Sequence, residues 1–218
     1  MSARENILGR IRAAQGRGGA VLLQDGAAVD AHLAAHPQGP RPFSGWDPLV
    51  RLRDRAQSLS TSLDRVERMA DVPPAVARYL ASNKLPAVAV CWPELGELDW
   101  RAAGIAVETR AARGDDLVGI TGAFCAIAET GTLMLLSGAH TPGATSLLPE
   151  THIAIVPVTR IVRGMEDAWA LLRAERGENF MPRAVNFISG PSRTADIEQT
   201  LVLGAHGPYR VHIVLTPQ

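Results

Sequence analysis

Ala184-Val185-Asn186-Phe187-Ile188-Ser189-Gly190-Pro191-Ser192-Arg193-Thr194 is the stretch on which the reading of this chain turns. An apolar run stops abruptly at Ser189-Gly190-Pro191, and helix-compatible sequence follows. Those are the marks of a strand, a tight turn and a helix start. A helix start leaves several backbone N–H groups without intrahelical partners, and the helix dipole adds positive potential there. Arg193, between Ser192 and Thr194, contributes a fixed cation beside two hydroxyls, a setting that suits a carboxylate or a phosphate. The same residues also fit a structural turn, with Ser192 or Thr194 capping the helix and Arg193 paired with a nearby acid. Local chemistry leaves both readings open.

Outward from that turn, strand-like runs alternate with helical stretches. Apolar or β-rich runs occupy 87–91, 105–108, 123–128, 132–136, 152–158, 185–188 and 211–215. Residues 165–173 predict a helix with Trp169 on its buried face, and 94–101 predict a shorter one. Leu49, Leu52, Ala56, Leu59, Leu63, Val66 and Ala70 recur at spacings of three and four, which predicts one long helix with a single apolar stripe. Pro73 or Pro74 then opens another helix through Leu80. Strands that are apolar throughout are those covered on both faces. The expectation is an α/β domain with a layered, largely parallel sheet flanked by helices.

The first 47 residues read differently. Ile7, Leu8 and Ile11 give an amphipathic helix near 2–15, with Arg4, Arg10 and Arg12 toward its polar side. Gly16, Gly18 and Gly19 break it. Residues 21–35 fit a weak helix or a strand equally, and Pro37-Gln38-Gly39-Pro40-Arg41-Pro42 reads as an extended linker. The predicted division is an N-terminal helix and Gly/Pro-rich linker at 1–47, and the α/β domain at 48–218.

Composition removes several classes of function. The chain has 218 residues, 46% of them hydrophobic, enough to bury a substantial core. Lys+Arg and Asp+Glu both number 22, so no charge excess points to nucleic acid. No apolar run reaches membrane-spanning length, and Met1-Ser2-Ala3-Arg4-Glu5-Asn6 lacks the apolar segment of a signal peptide, which implies a cytoplasmic location. Only two cysteines occur, Cys91 and Cys125, each inside an apolar run, so a four-thiolate iron–sulfur site is excluded on one chain. Neither a Gly-x-Gly-x-x-Gly nor a Walker loop is present. His32 and His36 have helical i, i+4 spacing but no further ligand beside them, so no metal site is expected.

Glu129 is the most interesting single residue. Flanked by apolar sequence, it reads as paired, protonated or used, because an isolated buried charge is costly. Thr130, Gly131 and Thr132 follow it and permit close backbone approach. His206, in Gly204-Ala205-His206-Gly207-Pro208, fits either an acid–base role or a hydrogen-bonded loop role. His140 ranks below it. Ligands of open α/β sheets gather beyond the carboxyl ends of strands. Glu129, Ser192, Arg193, Thr194 and His206 are therefore expected around one cleft there, with Thr130, Gly131, Thr132 and Gly190 as further ligand contacts.

Five segments, in order, resemble the LUD-domain family, in particular its lactate utilization protein C group. They are Val72-Pro73-Pro74-Ala75-Val76-Ala77-Arg78-Tyr79-Leu80, Ala128-Glu129-Thr130-Gly131-Thr132-Leu133, Leu148-Pro149-Glu150-Thr151-His152-Ile153 with Ile161-Val162, the 188–208 stretch, and the closing Tyr209-Arg210-Val211-His212-Ile213-Val214-Leu215. The resemblance implies a layered fold like that of ribose-phosphate isomerases, glucosamine-phosphate deaminases and coenzyme A transferases. It also implies a cluster-free component of a system oxidising L-lactate to pyruvate, with iron–sulfur clusters on partner proteins, and a small anionic ligand such as a 2-hydroxy acid. Glu129 faintly resembles the Glu of the coenzyme A transferase pattern Ser-Glu-Asn-Gly, though both flanking positions differ. A stand-alone isomerase or transferase acting on a sugar phosphate or acyl-CoA, or a regulatory or scaffold protein, are the alternatives.

Overall fold

The structure, a computed structural model, describes residues 2–16, 23–42, 45–178, 180–194 and 202–217. The chain divides into two compact units, Met1–Phe43 and Ser44–Gln218. The first carries α1 (Ala3–Ala14) and α2 (Leu23–Ala35). Ser2 and Glu5 close a reciprocal cap on α1, with each side chain meeting the other's backbone N–H. The undecided 21–35 stretch is thus helical over Leu23–Ala35.

The second unit runs α3 (Pro48–Ser58), β1 (Ser62–Arg65), α4 (Val72–Ser82), β2 (Val88–Cys91), β3 (Ala106–Thr109), β4 (Val118–Gly122), β5 (Cys125–Ile127) and β6 (Thr132–Leu136). It continues through α5 (Ala144–Leu147), β7 (Thr151–Pro157), β8 (Ile161–Val162), α6 (Met165–Arg176), β9 (Val185–Ile188), β10 (Arg193–Thr194), β11 (Val202–Leu203) and β12 (Arg210–Thr216). Six strands form a wholly parallel sheet in the order β1-β12-β7-β4-β2-β3. Four more form a mixed sheet in the order β8-β5-β6-β9, and β10 with β11 makes a short antiparallel ribbon.

Side-chain alternation explains how these layers stack. Val214, Ile153, Val118 and Cys91 point to one face of the parallel sheet and pack with Val72, Val76, Tyr79 and Leu80 of α4. Val211, Ile213, Leu215, Ala154 and Val156 point to the other, where they meet Leu133 and Leu135 of the mixed sheet and Leu52 and Ala56 of α3. The far face of the mixed sheet, with Cys125, Ile127 and Met134, is covered by Ala168 and Leu172 of α6. The result is helix, parallel sheet, mixed sheet and helix. A sheet buried on both faces needs apolar residues at successive positions, which is why its strands read as continuous apolar runs.

Four expectations are corrected. The long helix predicted from Leu49 to Ala70 ends at Ser58. Ser60 adopts a left-handed φ of 66°, and Leu63 and Val66 belong to strand β1 and the segment after it. Their spacing imitated a helix because an α3–turn–β1 unit, both parts packing on one core, repeats near the same interval. The helix predicted after Ser189-Gly190-Pro191 does not begin there: Arg193 and Thr194 pair with Leu203 and Val202 as strand, and 195–201 lies outside the described residues. The 94–101 helix reduces to a single 3-10 turn, Pro93–Leu95. Finally, β4, which joins β2 to β7 in the sheet, was not anticipated, because Gly119 and Gly122 dilute its apolar pattern.

Candidate functional site

Several of the residues singled out by sequence gather around the C-terminal end of α3. Gly131, at φ 71°, closes the β5–β6 hairpin, and its N–H donates to the Ile127 carbonyl. A Cβ there would stand 2.7 Å from the Ala56 nitrogen and 2.9 Å from the Arg55 carbonyl carbon. Gly190, at φ 81°, approaches Leu59 in the same way, its Cβ position lying 2.5 Å from the Leu59 oxygen. Both glycine turns are therefore seats for α3. Arg193 Nη2 donates to the Leu59 carbonyl at 3.0 Å and to Ser60 Oγ at 2.8 Å. A cation on the last carbonyls complements the negative end of a helix dipole, so Arg193 caps α3.

The neighbouring hydroxyls form a chain. Thr130 and Thr132 Oγ1 are 2.7 Å apart, and Thr132 Oγ1 lies 2.6 Å from Ser189 Oγ. The Ser192 N–H donates to the Pro208 carbonyl and the Gly204 N–H to the Ser192 carbonyl, which ties the turn to the 204–208 loop. His206 is exposed in that loop. Glu129 is half-buried, its N–H donating to the Arg163 carbonyl, and among the described residues no ion pair joins it to Arg193. So Gly131, Thr132, Gly190 and Arg193 come together around α3, and Ser192 and Thr194 adjoin them. Glu129 and His206 share no described contact with Arg193.

A different place meets the physical criteria for a ligand site. In the parallel sheet, β3 lies on one side of β2 and β4 on the other, so the chain reverses direction between β2 and β4. Crevices outside the carboxyl ends of strands at such a reversal are where α/β sheets bind ligands. Those ends lead directly to Trp92-Pro93-Glu94 and to Ala123-Phe124. A cleft of about 230 Å³ opens there, lined by Trp92, Glu94, Phe124, Arg160, Glu175 and Arg176 among others. None of the residues singled out by sequence lines it.

Each wall has a local cause. The Trp92 N–H donates to the Ile120 carbonyl and its indole Nε1 donates to the Pro142 carbonyl at 3.3 Å, fixing the ring. Gly122 leaves room for Glu94: a Cβ there would stand 2.9 Å from Glu94 Oε1 and 3.7 Å from the Trp92 ring. Arg160, from the turn after β7, donates from Nη1 to Glu175 Oε1 at 2.5 Å and lies over Phe124, 5.6 Å from the ring centroid. The Gly164 N–H donates to Asp167 Oδ2, which caps the start of α6, whose last turn presents Glu175 and Arg176. Two guanidinium groups and two carboxylates thus converge on one concave, partly aromatic surface.

Four buried titratable side chains lie elsewhere. His152 is fully buried, with Nε2 2.8 Å from Thr121 Oγ1. His212 stacks on Tyr79 with ring centroids 3.9 Å apart, and its Nδ1 lies 2.8 Å from Ser62 Oγ. Burial pushes both imidazoles down to about 4, with Asp64 partly opposing this at His212. Cys91 and Cys125 are fully buried on opposite sides of the structure, and burial pushes their thiols up to about 11 and about 12. Among the described residues no cluster of His, Cys, Asp and Glu has the arrangement of a metal site, and no helix is long and apolar enough to cross a membrane.

The family model for the LUD domain matches residues 58–216. The chain belongs to the LUD-domain family. This LUD-domain chain is 40% identical over 130 residues to lactate utilization protein C 1 of Bacillus mycoides, covering 57% of this chain and 55% of that protein. It is 47% identical over 95 residues to lactate utilization protein C of Halalkalibacterium halodurans, covering 43% and 41%. Over 161 residues it is 34% identical to lactate utilization protein C of Bacillus velezensis, covering 72% and 66%. The chain spans about half the length of the first of these relatives. Its fold is similar to the crystal structure of a DUF162 family protein from Deinococcus radiodurans, with a TM-score of 0.59 and 24% identity over 80% of this chain and 99% of that one. The expected family and the α/β class with a largely parallel sheet are both found.

Proposed function

We propose that this chain is a component of a lactate-utilization system that supports oxidation of L-lactate to pyruvate beside iron–sulfur partner proteins and holds no cluster itself. The observation that carries this reading is the match, at 34–47% identity, to several relatives named lactate utilization protein C. The interior of the chain supports the division of labour. Conversion of a 2-hydroxy acid to a 2-oxo acid releases two electrons and two protons, and the electrons need a redox group to receive them. Thiolates are the ligands of iron–sulfur clusters. Both thiols here are sealed in separate core layers and held in the protonated form. On this reading the electron acceptor belongs to the partners, and this chain contributes recognition of the organic acid.

Reconstitution tests the proposal. Purified chain and candidate iron–sulfur partners should co-elute, and the mixture should reduce an electron acceptor when given L-lactate. Omitting this chain should abolish the reaction. Full activity without it would remove the proposed role, and turnover of a sugar phosphate or acyl thioester by the isolated chain would point instead to a stand-alone enzyme.

A further inference from the structure

The charged groups of the switch-point cleft are only partly satisfied by one another. Arg160 gives one N–H to Glu175, which leaves the rest of its planar fork without a described protein partner. Arg176 leans on Phe180, 5.8 Å from its ring centroid, and pairs with no carboxylate among the described residues. Glu94, over Gly122 and beside the Trp92 ring, pairs with no cation among the described residues. A guanidinium fork recognises a carboxylate by parallel hydrogen bonds, and a second guanidinium adds charge. The exposed Glu94 carboxylate offers the complementary chemistry, since it accepts hydrogen bonds from a donor.

An acid with a hydroxyl on the carbon next to its carboxylate offers both an anion for the guanidinium and a donor for Glu94, and the lactate-utilization reading selects it among acids that carry a nearby donor. We propose that this cleft binds a small 2-hydroxy monocarboxylate, with the ligand carboxylate on Arg160 and the ligand hydroxyl donating to Glu94. A 2-oxo acid presents only acceptors and sets its carbonyl lone pairs against the Glu94 carboxylate, so the cleft discriminates against it. The volume of about 230 Å³ lies below the range for drug-sized ligands and suits a small metabolite. Glu94 is the specificity determinant and Arg160 the anchor. The inference deepens the lactate-utilization reading and rests on it for the choice of L-lactate as probe.

Calorimetric titration of the isolated full chain with L-lactate and with pyruvate tests it. Wild type should bind L-lactate at one site, and more tightly than pyruvate by at least about tenfold, the margin expected when a hydroxyl is read by a dedicated acceptor. Arg160→Gln should weaken L-lactate binding by about tenfold or more. Glu94→Gln keeps the shape but can donate as well as accept, so the preference for L-lactate over pyruvate should collapse. Gly122→Ala should displace the Glu94 carboxylate and reproduce that collapse. Thermal unfolding of each variant, measured alongside, separates a lost contact from a lost fold. L-lactate binding indifferent to both Arg160→Gln and Glu94→Gln would overturn the proposal. So would equal affinity for pyruvate, or no saturable binding at tens of millimolar L-lactate. If binding fails while the reconstituted system still requires this chain, the cleft is wrong and the function stands. If binding behaves as stated but the system oxidises L-lactate without the chain, the reverse holds.

Discussion

The glycine turns at Gly131 and Gly190 and the cleft at Trp92 and Glu94 use glycine for opposite ends. At the turns, positive φ and the missing Cβ let α3 lie directly on backbone, so the space is filled by protein. At Gly122 the missing Cβ leaves room for a carboxylate beside an open cleft. The region densest in motif-like residues is thus a packing joint, whereas the cleft is assembled from side chains scattered between Trp92 and Arg176. Density of glycine, hydroxyl and charge in a short stretch identifies a place where the chain is constrained. It does not say whether a ligand or a helix imposes the constraint.

Exchanging these glycines for alanine is the strongest way to break the contrast. Gly131→Ala should destabilise the fold by roughly 2–5 kcal/mol, combining left-handed strain with overpacking against the α3 backbone. Gly122→Ala crowds the far end of the flexible Glu94 side chain, with the Trp92 ring at ordinary contact distance, and should cost less than about 1 kcal/mol. Urea unfolding of the two variants reads the difference directly, and equal losses would erase the distinction between joint and cleft.

Acid separates the interior from both regions. His152 and His212 have folded-state values pushed down to about 4, below the ordinary imidazole value near 6.5. Between those values the unfolded chain binds more protons than the folded one. Stability from these residues is therefore complete above about pH 6.5 and is lost as pH falls toward 4. Between pH 7 and pH 5 the loss should be roughly 2 kcal/mol for each histidine, and His152→Gln should flatten the slope. A slope unchanged in that variant would mean that His152 is not held neutral by burial.

Arg193→Met sharpens the comparison with a smaller effect. As the cap of α3, Arg193 should contribute about 1 kcal/mol to stability. Its loss should leave L-lactate binding unchanged. A large loss of binding with stability intact would return the ligand to the Ser192–Thr194 turn.

Much of the fold was legible. Runs such as 87–91, 152–158 and 211–215 became β2, β7 and β12 because strands covered on both faces have to be apolar throughout. The helix expected over 165–173 with Trp169 on its buried face is α6, and Trp169 packs on the far face of the mixed sheet. Strand β1 was hidden because Leu59, Leu63 and Val66 kept a helical interval across the left-handed Ser60. The sequence leads one to look for a ligand beyond strand ends, but which strands are neighbours there is decided by the crossover between β2 and β4. No local pattern encodes that crossover. Glu94, Phe124 and Arg160 accordingly carry no site role in the sequence reading, and neither do His152 and His212, whose interest comes wholly from burial. The only local sign of the cleft was Trp92-Pro93-Glu94, a bulky ring and a carboxylate placed immediately after an apolar run.

The smallest expected effect on the fold is at the N-terminus. Limited proteolysis should cut between residues 16 and 42 and leave the 48–218 domain folded, because the Gly- and Pro-rich sequence there has little to bury. Cutting first inside 120–160 would contradict that division.

The most direct measurement uses the tryptophans. Trp92 lines the cleft, while Trp46, Trp100 and Trp169 do not. In a nitrogen-15 spectrum of the chain titrated with L-lactate, the Trp92 indole N–H should shift saturably, and the backbone signals of Gly131, Gly190 and Arg193 should stay in place. Movement of those three signals with Trp92 unmoved would put the ligand on the glycine turns and contradict the account.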